Sequence, residues 1–148
     1  MRTRLIFMLT ILLIFCACTS FHGIKPLYPG VGNPNIPKQV DSLYPTFLWE
    51  PSPDPDVTYD FILYEGIRIE DFWRGIKRAL GEEVCYCQGL KTSKFTTEKS
   101  LKPGMEYYWS VRTRKGDHVS QWSLYDYFLF LGTGFIKADN RPFCFKTP

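Results

Sequence analysis

The sequence predicts an all-β fold, a sandwich or a barrel, for most of the chain. Apolar and polar residues alternate over residues 46–49, 59–63 and 107–111, a pattern typical of strands with one buried face. Three prolines in the segment 51–56 exclude it from a ladder, so the first two strands are joined by a loop. Short strands separated by turns indicate a sandwich or a barrel.

Length and composition favour one folded domain. The chain has 148 residues, of which 45% are hydrophobic and 25 are aromatic (12 Phe, 9 Tyr and 4 Trp). This is enough apolar material for a single core. The formal charge of +3 depends on Arg2 and Arg4, and without them 16 basic residues face 15 acidic ones. No basic cluster remains to neutralise phosphates, so a nucleic-acid partner is not expected.

The amino-terminal residues 1–17 are predicted to be a signal peptide. Two arginines precede an apolar run that is too short to span a bilayer as a helix. The end of this run, Phe15-Cys16-Ala17-Cys18, resembles the lipobox of bacterial lipoproteins, in which a small residue precedes the lipidated cysteine. The resemblance implies acylation of Cys18 by palmitate-type chains and anchoring to a membrane. An ordinary signal peptide or an uncleaved anchor is the alternative. Thr19, where an Asp would favour inner-membrane retention, implies the outer membrane if the source is Gram-negative.

Residues 18–37 are predicted to form a tether, and residues 38–148 the domain. Four prolines and three glycines fall between positions 22 and 40, with little apolar periodicity. As a flexible coil this tether would hold the domain about 25 Å from the bilayer.

Several motifs of the domain occur in a familiar order. Pro45-Thr46-Phe47-Leu48-Trp49 comes first, then Tyr59-Asp60-Phe61, then Leu101-Lys102-Pro103-Gly104-Met105-Glu106-Tyr107, and last Val119-Ser120-Gln121-Trp122-Ser123. This order resembles a fibronectin type III domain, an immunoglobulin-like β-sandwich. The resemblance implies that Trp49 is the core tryptophan and that Tyr107 is the corner tyrosine, buried and hydrogen-bonded back to the main chain.

Two regions depart from that family. Near residues 70–80, apolar residues recur at helical spacing, which predicts a short inserted helix that serves as a lid or that binds a partner through Trp73. At the carboxyl end, residues 125–131 and 143–145 both fit the last strand, and alternation does not decide between them.

Three cysteines follow Cys18. Cys85 and Cys87 lie two apart in a predicted strand, and a disulfide from Cys144 to one of them is expected in an exported protein. One thiol is then left over, which keeps open a redox function for the Cys-x-Cys pair.

Arg112 and Arg114 share one strand face, with Trp122 a few residues further on. The arrangement resembles the stacked arginines and tryptophans of some fibronectin-like receptor domains, and these residue types are common in binding hot spots. With two histidines in the chain and no nucleophile elbow, no catalytic residue, metal or cofactor is expected. The expected function is therefore a membrane-anchored, non-catalytic module of the cell envelope that binds or scaffolds proteins. The alternatives are a thiol redox lipoprotein and a carbohydrate-binding module.

Overall fold

The computed structural model describes residues 19–30, 37–71, 75–130 and 135–148. The predicted signal peptide, Cys18 and Trp73 lie outside these ranges. The strands within them are β1 (Thr19–His22), β2 (Pro26–Tyr28), β3 (Lys38–Gln39), β4 (Thr46–Trp49), β5 (Thr58–Asp71), β6 (Gly75–Leu90), β7 (Lys94–Thr96), β8 (Glu106–Lys115), β9 (His118–Val119), β10 (Leu124–Phe130), β11 (Phe135–Arg141) and β12 (Phe143–Lys146). No helix long and apolar enough to cross a membrane occurs in these ranges.

The strands form a sandwich-like arrangement of sheets, which confirms the all-β prediction. One sheet has the order β3-β12-β8-β5-β6, with β9 beside β8, and a second has the order β2-β4-β7. β12 is antiparallel to β8 and parallel to β3. A third sheet has the order β1-β10-β11.

Aromatic rings fill the space between the first two sheets. Phe47 and Trp49 of β4 are buried, whereas Thr46 and Leu48 between them are only partly so, as the alternation predicts. Phe47 packs 4.8 Å from Phe61 of β5 and 5.2 Å from Trp109 of β8, measured between ring centroids. Edge and tilted contacts at these distances are favourable beyond the area that they bury.

Tyr107 closes one end of this core as predicted. Its ring is buried, and its hydroxyl accepts a hydrogen bond from the Lys102 N–H at 2.9 Å. The bond spans the Lys102-Pro103-Gly104 turn, where Gly104 has a φ of 69° that favours glycine. The turn and the start of β8 are therefore fixed to each other.

The predicted helix near residues 70–80 is wrong. Thr58–Asp71 and Gly75–Leu90 instead pair as a long antiparallel hairpin, with Ile67 opposite Ala79 and Glu70 opposite Ile76. The apolar residues fit a helical face, but β5 is already held in the sheet by β8 from residue 58 to 65. Extension of that ladder, with β-branched isoleucines at positions 67 and 69, outweighs the helical periodicity.

Both candidate carboxyl-terminal strands exist, in different sheets. Phe143–Lys146 pairs with β8 and is the last strand of the sandwich. Residues 125–130 belong to β10, which pairs with β11 as a hairpin inserted before β12. The two segments looked equivalent because both alternate.

The described part of the segment predicted to be a tether contains short strands. β1 begins at Thr19 and pairs with β10, β2 pairs with β4, and β3 pairs with β12. Between β1 and β2 the Ile24 N–H donates to Ser123 Oγ at 2.8 Å. Prolines and glycines here sit in edge strands and turns, which tolerate them, so residues 19–30 pack on the domain.

Candidate partner-binding face

The predicted pair of arginines lies on the outer face of the six-stranded sheet. Arg112 and Arg114 of β8 are on the face opposite Trp109, and Asp60 of β5 is directly across the ladder from Arg112. Tyr86 of β6 lies on the far side of Asp60, and its hydroxyl donates to Asp60 Oδ2 at 3.2 Å. The sheet thus brings charged and aromatic groups from three neighbouring strands into one cluster.

Asp60 is the centre of this cluster. Its side chain is fully buried, and both of its carboxylate oxygens accept hydrogen bonds. Arg114 donates from Nε to Oδ1 at 2.9 Å and from Nη2 to Oδ2 at 2.7 Å, and Arg112 donates from Nε to Oδ2 at 2.9 Å. The Gly89 N–H adds a bond to Oδ1 at 3.3 Å. The two bonds from Arg114 form a fork that fixes its guanidinium plane, whereas Arg112 is held to Asp60 by one bond.

The ionisation of Asp60 follows from these contacts. Burial alone raises the pKa of the carboxyl, but the hydrogen bonds from Arg114 and Arg112 outweigh it and lower the pKa from 3.8 to about 2. The same bonds raise the pKa of Arg114. Asp60 and Arg114 are therefore charged at neutral pH.

Trp122 completes the cluster from the segment between β9 and β10. The Arg112 guanidinium lies over its indole ring, 4.4 Å from the centroid, and Tyr86 meets the same ring edge-on at 6.3 Å. The structure thus brings Arg112, Arg114 and Trp122 together, but only Arg112 stacks on the indole among these contacts. Arg114 is bound by Asp60 instead.

Asp60 and Tyr86 were not predicted as site residues from the sequence. Asp60 stands alone between apolar neighbours in Tyr59-Asp60-Phe61, and an acidic residue inside a predicted strand was the available signal. Its arginine partners are more than fifty positions away, and only the β5–β8 register reveals them.

The cluster has the properties of a surface for recognition. Tyr86 is 41% exposed, and Trp122 is partly exposed. Beside Trp122 is an apolar recess of about 270 Å³, lined by residues that include Ile62, Tyr64, Leu80 and Leu124. Rigid aromatic and arginine side chains next to an apolar recess are typical of binding hot spots.

The predicted disulfide is not formed. Cys85, Cys87 and Cys144 form no disulfide in the structure. Cys144 pairs with Tyr108, whereas Cys85 pairs with Leu63, which lies opposite Trp109. Cys144 is therefore on the outer face and the Cys-x-Cys pair on the core face. β8 and β5 also separate their strands, a spacing of about 14 Å, which exceeds the Cα separation that a disulfide allows.

Both thiols of the Cys-x-Cys pair have raised pKa values. Burial raises the pKa of Cys85 to about 12 and also raises the pKa of Cys87. Both are therefore protonated at neutral pH, and the thiolate is the reactive form. The two side chains line a recess of about 200 Å³ together with Phe95 and Leu101, which are core residues at the edge of the sandwich.

Within the described ranges, no group of three or more His, Cys, Asp or Glu residues is placed to hold a metal ion. Comparison of the chain with protein-family models, with curated proteins and with solved structures finds no match in any of the three.

Proposed function

We propose that this protein is a lipid-anchored, non-catalytic module of the cell envelope that binds a protein partner through the outer face of its six-stranded sheet. The observation that carries the proposal is the cluster of Tyr86, Arg112 and Trp122, held rigid by buried Asp60 and open on one side. Because Asp60 already neutralises part of the arginine charge, the face offers aromatic surface and stacked guanidinium groups rather than a strong positive field.

The strand order and the position of Tyr107 also support a binding function. The order β2-β4-β7 in one sheet and β12-β8-β5 in the other corresponds to strands A, B and E and strands G, F and C of immunoglobulin-like sandwiches. The buried Tyr107, bonded to the main chain five residues upstream, matches the corner tyrosine. Both features support a fibronectin type III-like domain, a fold that commonly serves as a binding module, although fold alone does not define a partner.

The anchor is proposed from the sequence at Cys18. Acylation there would place the domain in the envelope, at the outer membrane if the source is Gram-negative. β1 begins at the next residue, so the domain would lie against the bilayer rather than about 25 Å away on a flexible coil.

The binding face is tested by crosslinking in intact envelopes. Trp122→Ala and Tyr86→Ala remove the aromatic surface and leave the Asp60–Arg114 bonds in place, whereas Tyr44→Ala removes an aromatic residue that is 52% exposed elsewhere on the domain. We expect a crosslinked protein partner with the unmodified chain and with Tyr44→Ala, and a loss of most of that product with either other variant. A product that is equally abundant in all four proteins would refute the assignment of the face.

A further inference from the structure

We propose that the β10–β11 hairpin enters the membrane interface with its distal end, beside the acyl chains of Cys18. The inference rests on the proposed lipid anchor and adds a second membrane contact to it. Three observations support it: the register of β1 against the hairpin, the distribution of residue types along the hairpin, and the length of its apolar end.

The register places the anchor beside the hairpin. β1 is antiparallel to β10, with His22 opposite Leu124 and Thr19 opposite Tyr127. Moving from His22 toward Cys18 is therefore the same as moving along β10 toward its distal end. Cys18 is bonded to Thr19, so its Cα lies about 3.8 Å from that of the residue opposite Tyr127. Acyl chains on Cys18 would start beside β10 and not at a remote point of the domain.

The residue types change along the hairpin at that same level. Beyond Tyr127 the paired positions are apolar, with Leu129 opposite Ile136 and Phe130 opposite Phe135. Nearer the sandwich the pairs are polar or charged: Tyr125 with Arg141, Asp126 with Asn140 and Tyr127 with Asp139. The boundary pair, Phe128 with Lys137, joins an aromatic residue to a cation. Aromatic and basic residues are enriched where membrane proteins cross from headgroups to acyl chains.

The dimensions agree with an interfacial depth. Strands rise about 3.3 Å per residue, so Phe130 lies about 7 Å beyond the level of Phe128. Interfacial segments bury their apolar parts about 5 to 10 Å deep. The three-stranded sheet has open edges whose N–H and C=O groups need water or headgroups as partners, and this limits insertion to the interface.

This arrangement favours a lipid surface over a protein as the occupant. The acyl chains proposed on Cys18 would already bind the membrane stably, so insertion of the hairpin beside them would add a defined orientation rather than anchoring. Because Ser123, at the base of β10, donates its N–H to the Val111 carbonyl, the hairpin is joined to the sheet that carries the binding face. Insertion of the hairpin would therefore set how that face is presented to a partner.

The test uses the full chain, extracted from membranes and reconstituted into phosphatidylcholine vesicles that contain phospholipids brominated midway along their acyl chains. Phe130→Trp adds a fluorescent probe at the distal end, and Tyr125→Trp adds a matched probe near the base of the same strand. The added emission is the difference between each variant and the unmodified protein. Intact mass and vesicle flotation are recorded on the same samples.

We expect loss of most of the added emission at position 130 and little loss at position 125. Unquenched emission at both positions in acylated protein that floats with the vesicles would overturn the insertion while leaving the anchor intact, and would point to a protein as the hairpin's partner. Equal strong quenching at both positions would overturn the distal-end-first arrangement. Protein without acyl chains would overturn the anchor and the inference together, and the mass identifies that case.

Discussion

At the residue scale, Asp60 is the side chain that holds the arginine–aromatic cluster together. It is a buried charge in the middle of a strand, and burial of this kind is tolerated only when hydrogen bonds and opposite charges compensate for the lost water. Here two arginines, a tyrosine hydroxyl and a main-chain N–H do so. The same contacts orient Arg112 against Trp122, so stability and the proposed binding face share one residue.

Replacing Asp60 by Asn should lower the free energy of unfolding by about 2 kcal/mol at pH 7, since the pKa shift from 3.8 to about 2 measures how much the cluster prefers the charged form. The control is Asp56→Asn, because the Asp56 side chain is 77% exposed and reaches Lys115 only at 3.8 Å. The free energy of unfolding of both variants is measured by urea denaturation, with tryptophan fluorescence as the signal. Equal stability of the two variants would contradict the account of the cluster.

The same residue predicts a dependence of stability on pH. Because the folded-state pKa of Asp60 is lower than its unfolded-state value of about 3.9, its contribution is complete above that value and is lost as the pH falls toward 2. The free energy of unfolding should decline over this window in the unmodified chain, and the decline should be smaller in Asp60→Asn. Denaturation curves between pH 5 and pH 2 test this, and parallel declines in the two proteins would exclude Asp60 as a cause.

At the scale of elements, the sequence predicts strands well where one face is buried throughout. Burial alternates along β4 as predicted, and the predicted core residues of β5 and β8 are buried, although the residues between them are buried as well. Predictions failed where the outcome depended on neighbours that are distant in sequence. The outer half of β5 and β6 is a hairpin because it continues an existing ladder, and residues 19–30 are strands because β10 and β4 provide partners.

The cysteine prediction failed for a related reason. Alternation correctly placed Cys85 and Cys87 on one side of a strand, but the sequence does not reveal strand order. Two strands separate them from Cys144, which also lies on the other face. The candidate site was half predicted in the same way: Arg112, Arg114 and Trp122 were found from local spacing, whereas Asp60 and Tyr86 required the register.

The main chains of β5 and β8 approach closely at Gly66, which leaves no room for a larger side chain. A Cβ at Gly66 would lie 2.8 Å from the Glu106 carbonyl oxygen, a main-chain atom that cannot move aside cheaply. Gly66→Ala should therefore destabilise the domain by about 1 to 3 kcal/mol, the range typical of overpacking. Gly30→Ala is the control, because its Cβ would meet nothing closer than 3.5 Å. The midpoint temperature of thermal unfolding is measured for both variants. An unchanged midpoint for Gly66→Ala would contradict the close approach of the two main chains.

At the scale of the whole molecule, hydrogen bonds link the hairpin to the strand that carries the binding face. β1 begins one residue after Cys18 and pairs with β10, Ser123 bonds to Val111 of β8, and β8 carries Arg112 and Arg114. A flexible tether would leave the orientation of the domain free, whereas these links would fix it relative to the bilayer. The proposed membrane location and orientation of the domain therefore depend on Cys18.

Mass spectrometry of the amino-terminal peptide from membrane-extracted protein tests the proposed anchor. We expect a mature chain that begins at Cys18, with the mass of a diacylglyceryl group on the thiol and an acyl chain on the amino group. A mature chain that begins at another residue, or one with an unmodified Cys18, would contradict it.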